Sequence, residues 1–365
     1  MVVQTVKMMR GNVIMRKIHS LRTVSAAALL SIPMVLSGCG MFGAQSSEAV
    51  DPPPPIQEAA MIQAAEGNGA LAMLPLTTVY LQDQQGLLAP VSLTLPSGTD
   101  ASSPKTALDT LVTGGAYAGM LPEGFQGVLP QGTVVQNVTI HADDKLAVVE
   151  FSGNFAKYDA KEERKMLEAV TWTLTGTPDV ENVQIWVDGK KLTQMPVNST
   201  PLPEPLNRAV GINLDLGDTF VTNSSPVTVY FSAASPAGIQ YYVPVTRLVT
   251  PGEDRVQAAL NELIKGPDKG GELEEVMTGG TELQSVKTAE DGTVTVALKD
   301  DMFAEGDIVP SELLQSVVLT TAENTASKDA KVQIEWNGQK TVMGDDNRDY
   351  SAPVSKPEYI NEIPI

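Results

Sequence analysis

Cysteine is nearly absent: Cys39 is the single one in 365 residues. No intrachain disulfide can form, and no cysteine cluster can hold zinc. Histidine is almost as scarce, with two in the chain and only His141 after Cys39. A Ser-His-Asp triad would have to be built on that one ring. Aromatic residues make up 5%, so the cores must be assembled mostly from Val, Leu, Ile and Ala. Surface aromatic pairs for stacking on sugars are lacking. No apolar run approaches the roughly 20 residues of a membrane-spanning helix. No glycine-rich loop stands between a strand and a helix as a phosphate site requires, and no D-x-D-x-D-G spacing forms a calcium loop. Basic residues are also few, 25 against 44 acidic ones, for a formal charge of −19. So acidic a chain repels nucleic acid and anionic membrane surfaces.

What is present starts with the surroundings of Cys39. Lys7, Arg10, Arg16, Lys17 and Arg22 make the first stretch positive, and Val24 to Leu36 is apolar apart from Ser25, Ser31 and Pro33. A positive n-region, a short h-region and small residues at the end are the layout of a secretory signal. Here a cysteine follows directly on Ser37-Gly38. Leu36-Ser37-Gly38-Cys39 resembles the lipobox of bacterial lipoproteins. The resemblance implies cleavage between Gly38 and Cys39 and a diacylglyceryl group on the thiol, with acyl chains such as palmitate as the bilayer anchor. Two acyl chains meet the requirement of two signals for stable attachment. Residues 1–38 are then a signal peptide. Their removal takes away five basic residues and no acid, leaving 20 basic and 44 acidic residues, a charge of about −24.

Residues 39–76 lack periodicity and contain Pro52-Pro53-Pro54-Pro55, which reads as an extended tether. The remainder is a repeat. Val79-Tyr80-Leu81 returns as Val229-Tyr230-Phe231, and the stretch Ala107 to Gly114 returns as Ala259 to Gly266. Gly132-Thr133 returns as Gly280-Thr281, Phe155-Ala156 as Phe303-Ala304, and Val183-Gln184-Ile185 as Val332-Gln333-Ile334. The offsets stay close to 150 residues, too long for a solenoid unit, so the copies are tandem domains. The boundaries are 77–191 and 227–340, with a proline-rich semi-rigid linker at 192–226 and a polar tail at 341–365.

Each copy has the same predicted elements. Alternating Thr, Val and Tyr at 77–82 suit a strand, and a second follows at 91–95, or about 240–249 in the second copy. Ser103-Pro104 sets an N-cap and first helical position ahead of Ala107, Leu108, Leu111 and Val112. Residues 133–141 and 145–151 form a hairpin. A helix over about 160–174 buries Met166, Leu167, Val170 and Leu174, and a last strand carries Val183, Ile185 and Val187. The order β-β-α-β-β-α-β predicts an α+β fold with helices packed on one face of a mixed sheet.

Paired carboxylates are the remaining source of chemistry. Asp143-Asp144, Glu162-Glu163, Asp300-Asp301 and Glu274-Glu275 are the candidate pairs for a glycosidase acting on cortex peptidoglycan. Asp143 and Asp144 fall in a turn, where Asp serves backbone geometry. Glu162 and Glu163 fall in a first helical turn, where their charge suits the helix dipole. No pair is shared intact by both copies, and the counterpart of His141 is Ala289. No catalytic residue, cofactor site or metal site is expected. A wall hydrolase or wall-binding module is the alternative.

Leu129 to Val138, Val149-Glu150-Phe151-Ser152-Gly153-Asn154-Phe155 and Val183 to Gly189 together resemble the GerMN domain of GerM-like sporulation and germination lipoproteins of endospore-forming bacteria. The second copy keeps Gly280-Thr281 and Met302-Phe303 but has Leu298-Lys299-Asp300 in place of the acid-Phe-Ser end. The resemblance implies a fold similar to the ring-building domains of secretion systems and a non-catalytic role. It places the protein on the extracytoplasmic face of the cell membrane, between mother cell and forespore. Its implied partners there are the proteins of the channel complex.

Overall fold

The computed structural model describes residues 76–95, 103–216, 223–269, 271–304, 306–327 and 329–363. Gly38, Cys39 and the tether up to residue 75 lie outside the described residues.

The first copy opens on an antiparallel hairpin of β1 (Leu76–Gln82) and β2 (Leu88–Thr94). Helix α1 (Pro104–Asp109) follows. The Ser103 hydroxyl accepts from the Thr106 N–H, and proline stands at the first helical position, where its missing N–H costs nothing. Strands β3 (Val135–His141) and β4 (Leu146–Phe151) pair antiparallel. Helix α2 (Glu163–Leu174) then carries the chain to β5 (Asn182–Val187), which runs parallel to β4, and β6 (Lys190–Lys191) closes the sheet. Met166, Leu167, Val170 and Leu174 of α2 are buried, as their spacing requires.

The second copy repeats these steps: β7 (Ser225–Ala234), β8 (Gln240–Val249), α3 (Arg255–Lys265), β9 (Glu282–Thr288), β10 (Val294–Lys299), α4 (Ser311–Asn324), β11 (Lys331–Trp336) and β12 (Val354–Ser355). The registers coincide. Val79 pairs with Val91 and Tyr80 with Pro90; Val229 pairs with Val245 and Tyr230 with Pro244. Val149 lies beside Ile185, and Val296 beside Ile334. The Tyr80 N–H donates to the Thr173 hydroxyl of α2 at 3.0 Å, and the Tyr230 N–H to the Thr320 hydroxyl of α4 at 3.1 Å.

The fold is α+β, in two similar halves. The element order leaves open how the strands group, and the structure answers it. Each copy has a two-stranded hairpin and a separate mixed sheet, ordered β3-β4-β5-β6 in the first and β12-β11-β10-β9 in the second. The helices contact both. The first core centres on Val79, Leu108, Leu111, Phe151, Phe155 and Trp172, and it is completed by Tyr241 and Val243 of β8. The second centres on Val229, Leu260, Leu263, Leu314, Ile334 and Trp336.

The segments after each mixed sheet form a further repeated element. Met195 donates its N–H to Thr200 O, and Gly344 donates its N–H to Arg348 O. Leu206 bridges Val183 of β5, while Val354 pairs with Val332 of β11. Met195, Leu202, Leu206 and Ile212 are buried in the first, and Val342, Tyr350 and Ile360 in the second. Ile212-Asn213 and Ile360-Asn361 end these straps at an offset of 148.

Candidate functional site

The sequence-derived candidates are dispersed. His141 is exposed at the end of β3, and Asp143 and Asp144 form the single 3₁₀ turn that closes the β3–β4 hairpin. Glu162 pairs with Lys165 at 3.4 Å. Asp301 is exposed beside Lys299, and Glu274 accepts from Gln240. Among the described residues no group of three or more His, Cys, Asp or Glu is placed to hold a metal ion.

Two of these acids play roles the sequence does not reveal. Glu163 is buried, and its charge serves more than a helix dipole. It accepts from the backbone N–H groups of Val197, Asn198 and Thr200 and from the Tyr158 hydroxyl, at 2.6 to 3.2 Å. Burial pushes its carboxyl up, but these four donors outweigh it and hold the pKa at about 2. It ties the start of α2 to the strap. Asp300, also buried, accepts from the Thr278 and Thr281 hydroxyls and from the Met302 N–H. Burial raises its pKa, and these bonds more than offset that, leaving it below the ordinary value. Its own N–H and C=O are held by the Asn337 side chain.

The most heavily built polar site is the junction of the two copies. Strands β2 and β8 run side by side there, and each faces the other with a proline, Pro90 or Pro244, that has no N–H to offer. The straps supply the missing bonds, each lying on the hairpin of the other copy. Ile212 exchanges bonds with Thr246, accepting from its N–H and donating to its hydroxyl, both at 2.9 Å. Ile360 donates to the Ser92 hydroxyl at 3.0 Å. Asn213 and Asn361 then bridge the two strands. Asn213 and Asn361 have φ of 47° and 56°, a left-handed conformation that asparagine tolerates better than most residues.

A half-buried charge cluster sits beside this seam. Arg208 of the first strap and Lys356 of the second, again 148 residues apart, both reach Glu323, at 2.8 and 2.9 Å. Arg208 also stacks on Trp172, 4.3 Å from the ring centroid, and Lys356 lies over Tyr230 at 5.8 Å. Burial pushes the Glu323 carboxyl up, but the two cations hold it well below the usual range. Counted from Thr173 and Thr320, the first copy has Gly176 where the second has Glu323, so one carboxylate serves both cations. At the far side, the Tyr241 hydroxyl donates to Asp83 at 3.0 Å.

A cavity of about 240 Å³ lies against β5, lined by Leu146, Gln184, Ile185 and Pro203. Lys191 and Glu204 at this cavity pair with each other at 2.7 Å. The outer strands β3 and β9 end their sheets with one edge unpaired.

The comparisons with known proteins agree with this architecture. A family model described as sporulation and spore germination matches residues 78–193 and 228–342. The chain is 34% identical to spore germination protein GerM of Bacillus subtilis over 362 residues, covering 93% of this chain and 97% of that protein. It is also similar to the solved structure of the tandem GerMN domains of the sporulation protein GerM from Bacillus subtilis. That match has a TM-score of 0.72 at 36% identity and covers 78% of this chain and 99% of that one.

Proposed function

The chain belongs to the GerMN-containing family of sporulation and spore germination proteins, and from this we propose that it is a membrane-anchored, non-catalytic assembly lipoprotein. It is held through diacylglyceryl Cys39 on the extracytoplasmic face of the cell membrane, in the space between mother cell and forespore. There it assists assembly of the channel complex that joins the two cells.

The observation that carries this reading is the junction. The half-buried polar and charged groups at the seam, Asn213, Asn361, Arg208, Lys356 and Glu323, hold the two copies as one block. Anchorage is supported by Leu36-Ser37-Gly38-Cys39 behind a basic and apolar leader. An acidic domain pair has no electrostatic attraction to anionic lipid, so a lipid on Cys39 supplies the attachment.

Mass spectrometry of the mature N-terminus from sporulating cells tests the anchor. A diacylglyceryl cysteine at Cys39 is expected; an unmodified N-terminus at another residue contradicts it. Incubation of the purified protein with cortex muropeptides tests the non-catalytic part, and cleavage products would replace the assembly role with the hydrolase alternative.

A further inference from the structure

We propose that the free edge of β3 receives an extended strand from a different protein, neutral to basic in charge, which lengthens the first mixed sheet. This rests on the assembly reading above and names the surface through which assembly proceeds.

Among the described residues, most strand edges are covered by other segments or carry charge. The facing edges of β2 and β8 are sealed by the two asparagine straps. In the first mixed sheet the far edge of β5 is covered by β6 and by the bridge from Leu206. In the second, β12 covers β11. The edge of β9 carries Glu282 and Lys287 along its length, the kind of charge that natural edges use against unwanted pairing.

The edge of β3 has no such guard. Its sequence, Val-Gln-Asn-Val-Thr-Ile-His, has no lysine, no acid and no proline. Its register shift lies at the start, between Val135 and Asn137, so Asn137 to His141 run in regular pairing with β4. Val134 and Ile140, near its two ends, are exposed by 56% and 37%. A regular, uncharged edge with apolar residues at both ends suits strand addition, in which main-chain bonds give affinity and alternate side chains give selectivity.

Charge decides the occupant. A second mature copy would bring 44 acidic residues against 20 basic ones, a charge of about −24, to another of the same sign, which opposes association. Acids also flank the edge, with Asp143 and Asp144 in the turn after it and Glu150 opposite Asn137. These favour a docking strand with lysine or arginine at its ends.

The test places a photo-crosslinking residue at Thr139 of the full-length chain in sporulating cells, with Gln284 of β9 as the comparison, and sequences the attached tryptic peptide. The expected result is an adduct at least tenfold more abundant at Thr139, joined to a neutral or basic segment of another protein. Asn137→Lys, on an exposed position, should abolish it while leaving the melting temperature unchanged. An adduct with a second copy, an acidic peptide, equal yields at the two sites, or no adduct would each overturn the proposal. If Asn137→Lys removes the adduct and spore yield stays normal, the edge stands and the assembly role falls. If no adduct forms while Cys39→Ala abolishes spores, the edge falls and the assembly role stands.

Discussion

Asn213 and Asn361, 148 residues apart, make the same three hydrogen bonds across the seam between the copies. The Asn213 Oδ1 accepts from the Leu88 N–H, and its Nδ2 donates to Leu88 O and Pro244 O, at 2.7 to 2.8 Å. The Asn361 Oδ1 accepts from the Tyr242 N–H, and its Nδ2 donates to Tyr242 O and Pro90 O, over the same range. One comes from between the copies and the other from the end of the chain, so the pair has an internal two-fold relationship that each strap completes for the other copy.

That relationship predicts matched costs. Asn213→Ala and Asn361→Ala each strand one donor and two acceptors of the hairpins and should each cost about 1–3 kcal/mol, read as the urea midpoint. Asn361→Asp, nearly the same shape, should cost at least as much, because its oxygen would face two carbonyls. A near-neutral Asn361→Asp would show that the amide is not the bridge.

Glu163 predicts a pH dependence. Its folded pKa of about 2 lies below the ordinary 4.5, so the stabilisation is present above pH 4.5 and is lost as pH falls toward 2. A shift of that size corresponds to about 3 kcal/mol. Glu163→Gln should therefore lower stability by about that much near neutrality, and the gap to the wild type should narrow steadily as pH falls from 5 to 2. A gap independent of pH would contradict this.

Glu323→Ala should cost up to about 3 kcal/mol, the low end for breaking a buried pair, since it leaves the half-buried Arg208 and Lys356 without their shared carboxylate. Arg208→Lys should also destabilise. Lysine could place one nitrogen against Glu323, as Nη1 of Arg208 does at 2.8 and 2.9 Å, but it loses the bond from Nε to the Thr175 hydroxyl at 2.9 Å and the stacking on Trp172. Thermal unfolding of the two variants checks both.

The exposed candidates should behave differently. His141→Ala and the double change Asp143→Asn with Asp144→Asn touch only a strand end and a turn. They should leave spore yield within about twofold, consistent with the small effect of surface substitutions. A folded, abundant variant of this kind that made no spores would point to chemistry at the turn.

Much of this was legible in the sequence. The repeat, the helix at Ser103-Pro104 and the α+β class follow from patterns of 3.6 and 2 residues that burial imposes. The straps do not. Ile212-Asn213 and Ile360-Asn361 are two-residue matches in stretches that read as a proline-rich linker and a polar tail, because their role is to bond to distant backbone. The recurrence of offset 148, shared by Arg208 and Lys356, was the available signal. Glu163 was legible only as a helix-start acid, since its three backbone donors come from a segment 34 to 37 residues later. The separation of β1–β2 from the mixed sheet was hidden for a similar reason: alternation marks a strand without naming its neighbour.

The central claim is that the protein works as an anchored block and not as a catalyst, and spore yield from a Cys39→Ala strain tests it most directly. The variant should accumulate released or with its leader uncut, and heat-resistant spores should fall at least tenfold. Full spore yield from a soluble, unlipidated protein would contradict the claim.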